Sequence, residues 1–205
     1  MSIQELNRLL GNIDIYLLDQ ILKGRIAENS RILDAGCGEG RNLIYFLNQG
    51  YDVHGVDMNP DAIRMLQFIV QSNFPTVEKE RFQISPIDKM LYPDQAFDWV
   101  ISSAVLHFST TEFDFWKGIK EMTRVLKIGG GLFIRMTGEF GLDQATLEKQ
   151  GEQYLLPDGS LRFLLTQQIL DQMCEEYHFE LMEPLKSVWV DGKRSMTTLV
   201  LRKTA

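Results

Sequence analysis

Segments with the pattern of buried strands alternate with segments of helical pattern along most of this 205-residue chain. The sequence predicts two sets of segments, strands at 30–36, 51–59, 81–85, 97–106 and 130–138, and helices at 41–50, 60–73, 111–130 and 166–179. Two more strands are predicted within 180–203, around a turn at 191–193. Such alternation is typical of a parallel sheet with right-handed crossovers. We therefore expect an α/β fold, a doubly wound and mostly parallel seven-stranded sheet with helices on both faces and a C-terminal antiparallel hairpin strand.

The overall composition limits the partners that this chain could have. It carries 21 basic and 28 acidic residues, and the net charge of −7 disfavours a polyanion such as DNA because phosphate binding needs a basic surface. No run of about 18 apolar residues occurs, and the first ten residues do not resemble a secretion signal. Cys37 and Cys174 do not make a disulfide framework. We expect a cytoplasmic monomer or homodimer with no membrane partner, no nucleic-acid partner and no metal site.

A glycine-rich loop, LDAGCGEGRN at 33–42, follows the first predicted strand. Gly36 and Gly38 allow a tight turn and a close approach of the backbone to a ligand, and Gly40 lets the next helix begin against the strand. The loop departs from the dinucleotide fingerprint G-x-G-x-x-G because Arg41 stands where the third glycine should be. It also lacks the Lys-Ser or Lys-Thr pair of a nucleoside-triphosphate loop. Binding of a dinucleotide and binding of a nucleoside triphosphate are therefore both less favoured.

An aspartate at the end of the second predicted strand narrows the choice of ligand. A carboxylate at the position of Asp57 can accept hydrogen bonds from both hydroxyls of a ribose. The alternative is a turn residue, because aspartate before Met58-Asn59-Pro60 also suits a turn. Together with the glycine loop after the preceding strand, ribose binding is the favoured interpretation.

Three motifs, ILDAGCGEGRN, VHGVDMNPDAI and FDWVISSAVLHF, occur in this order along the chain. Together they resemble the class I (Rossmann-like) S-adenosylmethionine-dependent methyltransferases over roughly residues 30–137. The stretch GCGEGRN is also similar to small-molecule methyltransferases of the tellurite-resistance type. The resemblance implies S-adenosylmethionine as methyl donor and S-adenosylhomocysteine as product.

The resemblance also implies roles for residues at the ends of the predicted strands. Asp34 matches the acidic residue that faces the methionyl ammonium of the cofactor, and Asp57 matches the ribose ligand. Other positions that match the family's cofactor site are Gly36, Gly38, Met58, Ser103 and Ala104. We include Cys37 and Arg41 of the loop in the predicted cofactor site. Arg41 could hold an anionic acceptor or the carboxylate of the cofactor, and an ion pair on the helix surface is an equally good interpretation.

The region after the third predicted strand departs from the family pattern. Members often carry Gly-Asp-Ala there, and the aspartate meets the adenine amino group, whereas this chain has Ser85 and Pro86 near that place. Either Asp88 is displaced into this role or Ile87 offers only its backbone. We expect the adenine pocket to lie in this region.

Transfer of an activated methyl group depends on alignment, and only a hydroxyl or amine acceptor benefits from a base. His107, which follows the fourth predicted strand, is the candidate catalytic residue. It could act as a base, orient the acceptor, or simply pack within its loop. The candidate substrate residues are Tyr16, Arg135 and Tyr154.

A single methyltransferase domain over residues 1–205 is the resulting expectation. Its predicted parts are an N-terminal helical cap, a cofactor-binding core, a substrate-side insertion of irregular structure, and a final helix with a β-hairpin, at 1–29, 30–137, 138–165 and 166–205. We expect it to transfer the methyl group of S-adenosylmethionine to a small-molecule acceptor by in-line displacement, aided mainly by positioning. Two alternatives stay open, a non-catalytic S-adenosylmethionine-binding module and, less favoured, an NAD-dependent oxidoreductase.

Overall fold

The computed structural model describes residues 1–142 and 147–205, and these contain two sheets. The strands are β1 (Arg31–Ala35), β2 (Asp52–Asp57), β3 (Phe82–Ile84), β4 (Phe97–Ser103), β5 (Leu126–Thr137), β6 (Glu148–Gln150), β7 (Gln153–Leu155), β8 (Leu161–Arg162), β9 (Phe179–Leu181), β10 (Lys186–Val190) and β11 (Arg194–Lys203). The main sheet has the order β10-β11-β5-β4-β1-β2-β3, and β9 also pairs with β11.

The directions of the strands confirm the predicted fold class. Strands β1 to β5 pair in parallel, whereas β11 runs antiparallel to β5, β9 and β10. The sheet has one strand more than the predicted seven, because the first arm of the hairpin is divided into β9 and β10. Pro184 lies between these two strands, and proline has no N–H to donate to a ladder.

Six α-helices occur in the described residues, α1 (Ile3–Leu10), α2 (Ile15–Leu22), α3 (Ile44–Asn48), α4 (Pro60–Asn73), α5 (Glu112–Val125) and α6 (Gln167–Glu176). The predicted N-terminal helical cap consists of two helices with a break between them, since Gly11 ends α1 at a φ of +62° and Asp14 caps the N-terminus of α2. The bounds of α4 agree with the prediction, and Asn59 provides its N-cap.

Three predicted helices are longer than those in the structure. Helix α6 ends at Glu176, because Phe179 already begins β9. Helix α3 begins only at Ile44, because the residues after Gly40 form a turn. Helix α5 ends at Val125 and not at the glycines near 130, because Leu126 already pairs with Phe97 as the first residue of β5. A local helical pattern cannot show where such a long-range strand pairing begins.

Hydrophobic cores lie on both faces of the main sheet, as predicted. On one face, α5 and α6 pack against β1, β4 and β5 through buried residues such as Phe115, Met122 and Met173. On the other face, α2, α3 and α4 cover the same strands through Leu17, Phe46 and Leu66. Within the described ranges, no helix is long and apolar enough to span a membrane, and no group of three His, Cys, Asp or Glu residues is arranged to hold a metal ion.

The segment 138–165 is more regular than predicted. Strands β6, β7 and β8 form a small antiparallel sheet there, and residues 143–146 of the predicted insertion lie outside the described residues. This sheet is anchored beside the end of β4, since Phe163 donates its N–H to the carbonyl of His107 at 3.0 Å and stacks on Phe115. Strands of two or three residues are too short to produce a hydrophobic period, so their sequence shows no strand pattern.

Candidate active site

The carboxyl ends of β1, β2 and β4 meet at one edge of the main sheet, where the strand order changes direction on either side of β1. Ligands of open α/β sheets bind at such a switch point. A pocket of about 650 Å³ opens there. Its walls come from the loops after β1, β2, β3 and β4 and from the start of α5, and the lining residues are Gly36, Gly38, Asp57, Met58, Pro86, Ile87, Asp88, Ala104, Val105, Phe108, Ser109, Thr110 and Asp114.

The glycine loop after β1 forms one wall of this pocket. Gly36, Gly38 and Gly40 all have left-handed backbone, with φ of +89°, +53° and +84°. A Cβ atom on Gly36 would lie 2.3 Å from a methyl of Val105, and one on Gly40 would lie 2.4 Å from a methyl of Leu66. A Cβ atom on Gly38 would meet no atom within 4 Å. Packing therefore requires glycine at 36 and 40, whereas Gly38 keeps part of the pocket open.

Asp57 and Cys37 connect the glycine loop to β2. The N–H groups of Gly36 and Cys37 donate to the carbonyl of Val56 at 2.8 and 3.0 Å. The Asp57 carboxylate accepts from the N–H of Gly38 at 2.9 Å and from that of Asn59 at 2.8 Å. Each carboxylate oxygen has two lone pairs, so Asp57 keeps acceptor capacity for a ligand. The thiol of Cys37 is buried, which raises its pKa well above the usual range and makes it unreactive.

The loop after β3 lies at the outer end of the pocket. Ser85 is buried and donates its hydroxyl to the carbonyl of Lys89 at 2.8 Å, so it is not available to a ligand. Ile87 and Asp88 line the pocket together with Met58, whose side chain is largely exposed. The structure therefore brings both predicted adenine-side candidates, Ile87 and Asp88, to the same wall.

Asp34, the acidic residue near the end of β1, is a buried carboxylate with no partner among the described residues. Its side chain is 1% exposed, and neither oxygen has a hydrogen-bond partner among the described residues. Burial raises the pKa of Asp34 to about 7, the nearby Arg41 opposes this rise, and Asp57 adds to it. Buried carboxylates are normally hydrogen-bonded or paired with a cation. Among the described residues, Asp34 therefore lacks the partner that a buried carboxylate normally has.

A polar cluster beside Asp34 brings four predicted site residues together, Tyr16, Arg41, Ser103 and Arg135. The carboxylate of Asp14 accepts from Arg135 Nη1 at 3.0 Å and from the hydroxyl of Ser103 at 3.3 Å. Arg41 donates to the same hydroxyl at 3.0 Å, and the Arg135 guanidinium lies 5.4 Å from the ring centre of Tyr16. Asp14 was missed by the sequence analysis, and its only local signal is its position as an N-cap before a helix.

Comparison with known protein families decides between the interpretations of this pocket. The family described as a methyltransferase domain matches residues 26–184, which is more than half of the chain. The chain belongs to this methyltransferase family. The predicted resemblance to Rossmann-like methyltransferases is thereby confirmed, and the oxidoreductase alternative is not supported.

Individual relatives of this methyltransferase domain differ in the molecules for which they are named. The probable S-adenosyl-L-methionine-dependent methyltransferase TehB of Haemophilus influenzae is 33% identical over 115 residues, which are 52% of this chain and 37% of TehB. The tRNA U34 carboxymethyltransferase of Alteromonas mediterranea is 31% identical over 139 residues, which are 65% of this chain and 38% of that protein. The chain thus spans less than two fifths of the length of these relatives.

Among solved structures, the 1,6-didemethyltoxoflavin-N1-methyltransferase of Burkholderia thailandensis, determined with 1,6-didemethyltoxoflavin and S-adenosylhomocysteine, superposes with a TM-score of 0.70. It is 19% identical, and the match covers 96% of this chain and 80% of that one. At this identity the likeness shows the fold alone. The name of TehB agrees with the predicted cofactor, S-adenosylmethionine.

His107 of this methyltransferase domain is a buried, neutral histidine. Burial, together with the nearby charges of Arg162 and Arg194, lowers its pKa to about 4. Its Nδ1 accepts from the N–H of Thr137 at 3.3 Å, which assigns the ring proton to Nε2. Its ring also packs edge-on against Phe108. This environment favours the orienting or packing role among the three predicted for His107.

Tyr154 is separated from the other predicted site residues. It lies on β7 and lines a second cavity of about 260 Å³ with Glu139, Leu147, Leu164 and Thr166. This cavity shares no lining residue with the pocket beside the glycine loop. In contrast, Phe108, Ser109 and Thr110 line the main pocket and were missed, because no local sequence pattern shows that this loop turns back over the sheet edge.

Proposed function

We propose that this methyltransferase domain binds S-adenosylmethionine in the pocket beside the glycine loop and transfers its methyl group to a small-molecule acceptor. The observation that carries the proposal is Asp34, a buried carboxylate beside an open glycine loop, neither oxygen of which has a partner among the described residues. The methionyl part of the cofactor carries an ammonium group, which is the chemistry that Asp34 needs. A ligand without a cation at this position would leave the carboxylate unpaired and the binding weak.

The other pocket residues fit the rest of the cofactor. The pocket volume of about 650 Å³ lies within the usual range for small-molecule sites. Asp57 would accept hydrogen bonds from the ribose hydroxyls, and Met58 and Ile87 would lie against the adenine. Gly38 would allow the backbone to approach the ligand, because its Cα faces open space. Asp88 pairs with Lys117 at 3.5 Å and is the remaining polar group on the adenine side.

The chain itself would contribute alignment and exclusion of water. The bound cofactor supplies a methyl group on a positively charged sulfur, which is already activated for transfer. Ala104 and Val105 line the pocket beside the glycine loop, where they would hold the methionyl side. The Nδ1 lone pair of His107 already accepts the N–H of Thr137, and a pKa of about 4 makes the ring a weak base, so we assign it an orienting role and no general-base role. Tyr154 remains a predicted contact of the acceptor, in the second cavity.

The charge around the pocket supports a small acceptor over tRNA. Three aspartates, Asp57, Asp88 and Asp114, line it, and Lys117 lies within 3.8 Å of carboxylates of the last two. The chain also has a net charge of −7. Nucleic-acid binding depends on neutralising phosphates with Lys and Arg, so this rim would repel an RNA backbone. We therefore do not propose tRNA, which appears in the name of one relative, as the acceptor for this chain.

Methyl transfer from labelled S-adenosylmethionine tests the proposed reaction. The purified chain is incubated with separate pools of small thiols, amines, hydroxyl compounds and oxyanions, and in another arm with bulk tRNA. We expect label in at least one small-molecule pool and none in tRNA. Label in tRNA alone would overturn the acceptor class. No label in any arm, with cofactor binding intact, would favour the non-catalytic binding module.

A further inference from the structure

We propose that Asp14 is a positioning residue that holds Arg41 and Arg135 ready for the carboxylate of the cofactor's methionyl end. The proposal rests on the proposed binding of S-adenosylmethionine. It assigns to the N-terminal helical cap a part in recognising the amino-acid portion of the cofactor, exerted through these two arginines.

Asp14 is fixed by its own local structure. Its N–H donates to the side-chain carbonyl of the buried Asn42 at 3.0 Å, and its Oδ1 accepts from the N–H of Tyr16 at 2.9 Å as the N-cap of α2. Its side chain is 1% exposed. Because these contacts hold the carboxylate in place, the more flexible arginines must come to it.

The second oxygen of Asp14 organises both guanidinium groups. Oδ2 accepts from Arg135 Nη1 at 3.0 Å and lies 3.8 Å from Arg41 Nη2. The hydroxyl of Ser103 connects the two, since it donates to Asp14 and accepts from Arg41. Each arginine keeps unused donors, and Arg135 Nε is buried without a partner among the described residues.

The charges of this cluster leave one positive charge for a ligand. Asp14 neutralises one of two guanidinium groups, and no other acidic side chain is within 4.0 Å of either one among the described ion pairs. Asp34, Ser103 and Arg135 lie on the same face of the sheet, because Asp34 pairs with Ile101, two residues before Ser103, and Ser103 pairs with Arg135. An unpaired carboxylate and an excess guanidinium thus lie on one face, which is the complement of an α-amino acid with its ammonium and carboxylate.

The alternative is that Asp14 only attaches α2 to the sheet. Two ligands separate the two roles, since S-adenosylhomocysteine carries the amino-acid end and 5′-methylthioadenosine lacks it. Asp14→Asn keeps an N-cap and a hydrogen-bond acceptor but removes the charge. The matched control is Asp19→Asn on the same helix, where the carboxylate pairs with Lys23 and Lys186, outside this cluster.

Calorimetric titration of both ligands into wild type and variants tests the proposal. For Asp14→Asn we expect about a tenfold loss of affinity for S-adenosylhomocysteine, because charged hydrogen bonds are weakened, and less than a twofold change for 5′-methylthioadenosine. Asp19→Asn should bind both ligands like the wild type. Equal losses for both ligands, or no loss for either, would overturn the positioning role.

A second variant keeps the test valid if Asp14→Asn does not fold. Arg135→Gln should show the same selective loss for S-adenosylhomocysteine, and an equal loss for both ligands would again overturn the proposal. If the wild type binds 5′-methylthioadenosine but not S-adenosylhomocysteine, only the proposed amino-acid subsite fails. If it binds neither ligand, the proposed function fails as well.

Discussion

Replacing Asp34 with Asn is expected to remove most of the affinity for S-adenosylhomocysteine while stabilising the ligand-free protein at pH 8. The affinity should fall about a hundredfold, because the ligand's ammonium would lose a buried, charged partner. The stability should rise because the wild-type protein must bury an unpaired carboxylate at this pH. Titration calorimetry measures the first effect, and urea unfolding of the ligand-free proteins measures the second.

The gain in stability should depend on pH in a defined direction. The pKa of Asp34 is about 7 in the folded protein, against a usual value of 3.8. Between these values the folded state holds the extra proton, so Asp34 makes the free energy of unfolding fall as the pH rises from about 4 to about 7. The advantage of Asp34→Asn over wild type should therefore grow by roughly 2 to 3 kcal/mol between pH 5 and pH 8.

In both the wild type and Asp34→Asn, the titration of His54 and His107 makes the free energy of unfolding rise with pH. This direction is opposite to the effect of Asp34. Burial lowers the pKa of each to about 4, from a usual value of 6.5. Their contribution is fully present above about pH 6.5 and is lost as the pH falls towards 4. It cancels when the variant is compared with the wild type. Asp61→Asn, at an exposed position in the first turn of α4, is the control and should not raise the free energy of unfolding at pH 8. A variant less stable than wild type at pH 8 would contradict the unpaired state of Asp34.

Gly38→Ala and Gly40→Ala are expected to differ in their main effect, although the two glycines lie close together in the same loop. The first should mainly weaken ligand binding, and the second should mainly lower stability. Gly40→Ala should lose about 2 to 5 kcal/mol of stability, because its Cβ would lie 2.4 Å from Leu66 at a φ of +84°. Gly38→Ala should lose only about 1 to 2 kcal/mol, the cost of left-handed backbone. Its methyl group would instead enter the ligand pocket and weaken S-adenosylhomocysteine binding by roughly 10- to 100-fold.

Gly50→Ala provides the matched control for this pair. Gly50 has a φ of +75°, a Cβ atom at this position would meet no atom within 4 Å, and the residue follows α3 away from the pocket. Gly50→Ala should show the same small loss of stability as Gly38→Ala and unchanged affinity. Urea unfolding and calorimetry measure both quantities for the three variants. Full affinity in Gly38→Ala would show that the ligand does not approach this loop.

The parts of the fold that could be predicted depend on local and repeated patterns. Alternating strands and helices indicated the parallel sheet, and Pro60 in the first turn marked the start of α4 correctly. The position of the pocket could be predicted for the same reason. Once β1 and β2 are assigned, the glycine loop and Asp57 must lie at the same edge of the sheet.

The remainder depends on contacts between distant parts of the chain. Asp14 is 121 residues from Arg135 and meets it only because α2 folds over the sheet edge. Phe108 enters the pocket wall because the loop after β4 turns across the site before α5 begins. The small sheet of β6, β7 and β8 is held by packing on Phe115 and on the backbone of His107. None of these contacts leaves a periodic signal in the sequence.

Thermal unfolding with S-adenosylhomocysteine and with NAD tests the central claim, that this pocket binds an S-adenosyl ligand, most directly. At about 100 times its dissociation constant, S-adenosylhomocysteine should add roughly 2.7 kcal/mol of stability, a shift in Tm of about 5 to 10 °C for a domain of this size. NAD should give no shift, and Asp57→Ala should lose most of the shift with S-adenosylhomocysteine because the ribose hydroxyls lose their acceptor. A shift with NAD and none with S-adenosylhomocysteine would contradict the account.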